Sequence, residues 1–276
     1  MTDLEYGIVV MPKKTEMVAK SNRLIEASYR LGLNEQRLIL YAISRCREEQ
    51  KGFSPGEPIT ITVDEFSKQF PNVGMGTIYQ KLKEALDSLF DRFVTLYDTA
   101  PDTGEDRVTK TRWISTASYL DGSGRLQFIF APIIIQYITR LEPEFTRYRL
   151  DQIGNMTSAH AVRLYELLVQ YRVVGKRELS LVELRTMFQL APTEYKLTAN
   201  FINRVIAPSV DQINEHTDLT VSYKTKKTGK AISHFVFKIK SKDGEQSNSE
   251  VAEDQAYRNK LEANGQQRLD GPDAVF

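Results

Sequence analysis

Cysteine and tryptophan each occur once in this chain, and histidine three times. A single cysteine excludes an intrachain disulfide and a thiolate metal cluster. Cys46 lies in a helix-like segment, which predicts a buried thiol. No two of His160, His216 and His234 have metal-chelating spacing. A rolling-circle nickase needs a histidine pair beside a tyrosine nucleophile; thirteen tyrosines are present, but the pair is not. No GxxxxGK(S/T) phosphate loop and no GxSxG elbow occur. The "GMG" at 74–76 reads as a turn that needs permissive backbone. Glu48 and Glu49 fall in a polar stretch and read as solvated. The expectation is a protein without catalytic activity, cofactor or metal.

Long apolar runs are also missing. None approaches the ~18 residues that suggest a membrane span. The opening "MTDLEYGIVVMPKKTEM" lacks the basic lead and the longer apolar stretch of a secretory signal. A cytoplasmic location is expected, with no membrane partner. The 276 residues, 41% apolar and 10% aromatic, suffice for one large core or two small ones.

Net charge is nearly absent as well, with 37 basic and 36 acidic side chains. That balance hides a segregation. Residues 195–242 hold nine basic and three acidic side chains, whereas 243–276 hold three and eight. A basic segment on a neutral chain is the footprint of a polyanion partner.

What is present is a repeat. "RLILYAISRCR" at 37–47 matches "VRLYELLVQYR" at 162–172, and "ITVDEFSKQF" at 61–70 matches "LSLVELRTMF" at 179–188. "IYQKLKEALDSL" at 78–89 matches "INRVIAPSVDQI" at 202–213. Each copy reads as helix, short helix, loop, longer helix, strand, turn, strand. In the longer helix, Ile78, Leu82, Leu86 and Leu89 pair with Ile202, Ile206, Val210 and Ile213 as one apolar face. "RFVTLYD" and "DLTVSYK" come next as half-buried strands, and "RLQFIFA" at 125–131 and "HFVFKIK" at 234–240 return. Pro208 inside the second of these helices predicts a kink or a late start.

The fold class is therefore α+β: two tandem winged-helix domains with a pseudo-repeat and a disordered acidic C-terminal tail. Expected bounds are an arm at 1–19, domain one with a bridging helix opened by Pro132 at 20–144, domain two at 145–242, and the tail at 243–276. The segment between the copies is too apolar for a flexible linker, so the domains should pack together.

In this architecture the third helix enters the major groove and the wing lies along the backbone. The second copy offers Asn200, Asn203 and Arg204 on the exposed N-terminal face of that helix. Asparagine can bind adenine, and arginine guanine, through two hydrogen bonds. Thr198 lies on the same turn, and Lys196, just ahead, is a candidate phosphate contact. Lys224, Lys226, Lys227 and Lys230 are placed on the turn of the second wing, although such lysines can also be a solvated edge that resists aggregation. The first copy offers Thr77, Tyr79, Gln80, Lys81 and Lys83, with weaker binding expected; its wing is placed at "DTAPDTGEDRVTKTR", 98–112.

The stretches "LNEQRLILYAI", "FTRYRL", "AVRLYELLVQYR", "ANFINRVIAPSVDQIN" and "SYKTKKTGKAISHFVFKI" resemble the iteron-binding initiator proteins of theta-replicating plasmids, over roughly 20–242. The resemblance implies double-stranded DNA as partner: direct repeats at a plasmid origin for the monomer and an operator inverted repeat for an autorepressing dimer. It also implies origin melting, recruitment of the host initiator and replicative helicase, a monomer–homodimer equilibrium, and a place with the bacterial nucleoid. Two other readings of the residues stay open, a dedicated transcriptional repressor and a protein-interaction module without DNA binding.

Overall fold

The computed structural model describes residues 16–73, 77–100, 102–120, 122–139 and 145–242. The "GMG" turn, most of the expected arm and the acidic tail lie outside these residues. The first half runs β1 (Met17–Ser21), α1 (Asn22–Glu26), α2 (Leu33–Glu49), β2 (Ile59–Thr62), α3 (Val63–Gln69), α4 (Ile78–Phe90), β3 (Phe93–Thr99), β4 (Asp106–Arg112), β5 (Ile114–Leu120), β6 (Arg125–Phe130) and α5 (Pro132–Thr139). The second half runs β7 (Phe145–Arg149), α6 (Ala159–Val169), β8 (Lys176–Ser180), α7 (Leu181–Met187), α8 (Thr198–Phe201), a π-helical turn (Ile202–Ile206), α9 (Ala207–His216), β9 (Leu219–Thr228) and β10 (Ala231–Ser241).

The two halves are winged helices with matching sheets, β2-β6-β5 and β8-β10-β9. Each short helix is preceded by a strand that the helix reading of 61–70 and 179–188 left out. Thr62 and Ser180 end these strands and cap the helices α3 and α7, their hydroxyls accepting from the Glu65 and Glu183 amides. Strand and cap thus overlap within a few residues, and the two-residue alternation is too short to stand out.

The matching sheet orders correct the position of the first wing. β3 does not pair with the return strand β6; it pairs with β4, while β5 pairs with β6. The counterpart of the β9–β10 hairpin is therefore β5–β6, and α4 packs on β5 as α9 packs on β9. The hairpin at 93–112 is an insertion. It is anchored on the segment after α1, where Ser28 and Thr95 exchange backbone hydrogen bonds of 2.9 Å.

Pro208 falls in the first turn of α9, as the late-start expectation has it, but a π-helical turn and α8 precede it without a break. Helical dihedrals persist through Ile202 and Ile206, so 198–216 runs on as one helix with a wide turn. Proline has no N–H and its ring crowds the carbonyl four residues back. The π turn relieves this; the Ala207 N–H reaches back to the Ile202 carbonyl. One extra residue also rotates the remainder of the helix by about 100°. Phe201, Val205, Ile206, Val210 and Ile213 then share one buried side, and Ile202 is left half-buried.

The two halves share one core. In α2 and α6 nearly every side is covered, including Leu38–Ile43 and Ala161–Val169, because each helix lies between its own sheet and the neighbouring half. β1 pairs with β7, so residues assigned by sequence to the arm are stitched to the second half. Beneath that ribbon lies a buried polar network. Lys20 Nζ donates to Glu166 Oε1 at 2.8 Å and to the Tyr29 hydroxyl at 3.0 Å. Tyr148 donates to the same carboxylate at 2.8 Å, and Arg163 Nη1 donates to Tyr29 at 2.7 Å. Burial alone would neutralise such charges. Burial opposes it, but Glu166 holds the Lys20 ammonium above its ordinary value; Lys20 and Arg163 hold Glu166 below its own against the same opposition. Cys46 is buried, and burial pushes its thiol up to about 12.

Candidate nucleic-acid interface

The long helix of the second half is aimed by the loop before it. Arg185 donates to the carbonyls of Ala191, Glu194 and Tyr195, at 3.0, 2.7 and 3.2 Å. Glu194 accepts from the Ala191 amide at 2.9 Å and from Arg30 of the first half at 2.7 Å. The helix therefore starts from a turn that both halves hold.

On its N-terminal part, Lys196, Asn200, Asn203 and Arg204 are exposed and Thr198 is half-buried. Within the described residues, the side chains of Lys196, Asn200, Asn203 and Arg204 have no hydrogen-bond or ion-pair partner. They form one stripe ending at the π turn. Asp211 and Glu215 lie on the C-terminal part. Sequence reasoning passed over Leu197, which is 66% exposed beside Lys196; an apolar residue at an otherwise polar helix start was the available signal.

The lysines of the second wing do not all lie on its turn. β9 and β10 reach farther than expected, and the turn is Gly229 and Lys230, with Gly229 at φ 62°, a left-handed backbone that suits glycine. Lys224, Lys226 and Lys227 stand on β9. Lys226 and Lys224 face outward with Thr220 and Ser222, and Lys226 Nζ donates to Glu178 at 2.7 Å across β10. Only Lys227 and Lys230 sit at the distal end of the hairpin, where Lys227 pairs with Ile232 beside a bulge.

The first half brings its candidates together differently. Thr77, Gln80 and Lys81 are exposed, but Lys81 Nζ donates to the Val73 carbonyl at 2.9 Å and Gln80 to Glu84 at 2.9 Å. Lys83 lies over the Tyr119 ring at 5.0 Å, and Tyr119 bonds Asp87. Tyr79 packs half-buried against the core. The true first wing ends in Gly122, Ser123 and Gly124 and carries no lysine among its described residues.

Within the described residues, no group of three or more histidine, cysteine or carboxylate side chains could hold a metal. His160 is packed edge-on to Phe188 and near Tyr195, and burial lowers its pKa. No helix of the described residues is long and apolar enough to cross a membrane.

Known proteins match this arrangement. Residues 17–169 match the family described as "Initiator Replication protein, WH1", and 180–239 match "Initiator Rep protein, WH2". A relative from Escherichia coli, an uncharacterized 27.6 kDa protein, is 24% identical over 226 residues, covering 80% of this chain and 93% of its own. Among solved structures, the Pi initiator protein in complex with iteron DNA superposes with a TM-score of 0.67 at 18% identity, over 83% of this chain and 98% of that one. The MSBI1.176 WH1 domain, a replication protein isolated from a multiple sclerosis patient, is 34% identical over 40% of this chain and 80% of its own, with a TM-score of 0.34. With both of its winged helices matched in order, this chain belongs to the replication initiator protein family.

Proposed function

We propose that this protein initiates plasmid replication by binding directly repeated double-stranded DNA at an origin. The observation that carries the reading is the stripe of Asn200, Asn203 and Arg204, side chains suited to base edges and unpartnered within the described chain, on a helix flanked by a lysine-bearing wing. The N-terminal part of the helix enters the major groove, with Arg204 toward guanine and the asparagines toward adenine. Lys196, Lys227 and Lys230 take phosphates. Asp211 and Glu215 would repel the backbone, so the C-terminal part of the helix stays out of the groove.

The first half adds contacts through Thr77 and through Lys81, once it leaves the Val73 carbonyl. We place the functional divisions at 20–144 and 145–242. Bound to repeats, the protein promotes melting of the adjacent duplex and recruits the host initiator and replicative helicase in the cytoplasm. As a dimer it represses its own gene at an inverted repeat. Support for these later steps is the family and the doubled fold. Footprinting on the DNA flanking the gene tests the reading. Protection of direct repeats about two helical turns apart is expected; protection of no repeat overturns it.

A further inference from the structure

The outer face of the second sheet carries a lysine cluster that the DNA reading leaves unused. In β10, Phe235, Phe237 and Ile239 point into the core, so Val236, Lys238 and Lys240 point out. Paired residues of an antiparallel sheet share a face, and Lys238 stands opposite Lys176 of β8. Like charges directly opposite each other destabilise a sheet. Glu178 answers Lys226, but no ion pair within the described residues is formed by Lys176, Lys224, Lys238 or Lys240. This face turns away from the core side, where α9 packs, so DNA in the groove of the recognition helix leaves Lys176, Lys238 and Lys240 uncovered.

The chain beyond β10 leaves from a fixed point beside these lysines. Lys242 Nζ donates to the Thr217 carbonyl at 2.7 Å, and its amide to the Asp218 carbonyl at 2.7 Å. The next twelve residues, 243–254, hold Asp243, Glu245, Glu250, Glu253 and Asp254 and no basic residue. Twelve residues reach at most ~40 Å, and the eleven residues of β10 span ~36 Å. The acidic segment can therefore retrace the whole strand.

We propose that residues 243–254 dock back on the outer face of β8-β10-β9 as counterions for Lys176, Lys238 and Lys240. The segment neutralises the opposed lysines and covers a surface that would otherwise hold DNA without regard to sequence. The docking itself does not depend on the DNA reading above; its effect on DNA held without regard to sequence rests on that reading.

A nitroxide at Ser249→Cys, in the full chain with Cys46→Ser, tests it without DNA. At low salt the label should broaden the amide signals of Lys176, Val236, Lys238 and Lys240. Broadening should fade toward 1 M salt, where the screening length is ~3 Å, and in a Lys176→Gln/Lys238→Gln/Lys240→Gln variant. Absence of broadening at low salt overturns the proposal. So does broadening that survives salt or the triple variant, or that arises between chains when labelled and isotope-enriched copies are mixed.

Discussion

The helices α4 and α8–α9 occupy the same place in two copies of one fold, yet their polar faces are in different states. In α4, Lys81 holds a carbonyl, Gln80 holds Glu84 and Lys83 covers Tyr119. In α8 and the π turn, the side chains of Asn200, Asn203 and Arg204 have no hydrogen-bond or ion-pair partner within the described residues. A side chain already bonded must give up that bond before it can read a base, and each net bond is worth about 0.5–1.5 kcal/mol. The repeated fold provides two such helices, and they differ in how far their polar side chains are bonded internally. The wings repeat the lesson: one ends in Lys227 and Lys230, the other in glycine and serine.

The strongest way to break this comparison is to loosen the frame holding both copies. Glu166→Gln leaves Lys20 buried without its anion. A loss of about 3–5 kcal/mol is expected in chemical denaturation. The pH dependence has two limbs. Glu166 is held below its ordinary 4.5, so its contribution is complete above that value and disappears as the pH falls through the lower folded value. Lys20 is held above 10.5, so its contribution is complete below that value and disappears as the pH rises through the higher one. Denaturation from pH 3 to 7 should show a smaller acid limb in Glu166→Gln than in the parent chain.

Next in size, Arg204→Ala should cost about 1–3 kcal/mol on the cognate repeat and relax base choice, measured by titration against a panel of single-base variants. A smaller effect separates lysines within the second wing. Lys227→Ala and Lys230→Ala should each lower the salt slope of DNA binding by ~0.9. Lys226→Ala should lower it less, because Glu178 already pairs with Lys226. The smallest change belongs to the first half, where Gln80→Ala should shift DNA affinity by no more than about 0.5 kcal/mol in the same titration.

Much of the fold was legible because it is written in apolar spacing. Leu82, Leu86 and Leu89 recur as one helical face, and Leu40-Tyr41 against Leu164-Tyr165 marked the duplication. That the second-half helix exposes Asn200, Asn203 and Arg204 was legible too, because the apolar spacing leaves them off the buried side. Pairing partners were not. "RFVTLYD" alternates like a wing strand, and nothing local says that β4 rather than β6 will pair with it. Pro208 announced a disturbance, but the choice of a π turn rests on aligning Phe201 with Val210 and Ile213, a tertiary constraint. The split of lysines between tip and outer face depends on strand length, which the turn-forming "TGK" at 228–230 set later than the lysine run suggested.

The buried Lys20–Glu166 pair has a consequence for spacing on a duplex. A flexible tether would let two DNA-facing helices tolerate extra base pairs by stretching. Here the span between them is fixed by a shared core, and the charge pair inside it cannot be half-separated without stranding an ion in the interior. On the proposed contact of both helices with one duplex, the molecule would act as a caliper with a fixed jaw. Five base pairs inserted between the two half-contacts turn the far half-contact about 180° away around the helix axis. Affinity should drop in one step at that insertion and return when a full turn is added.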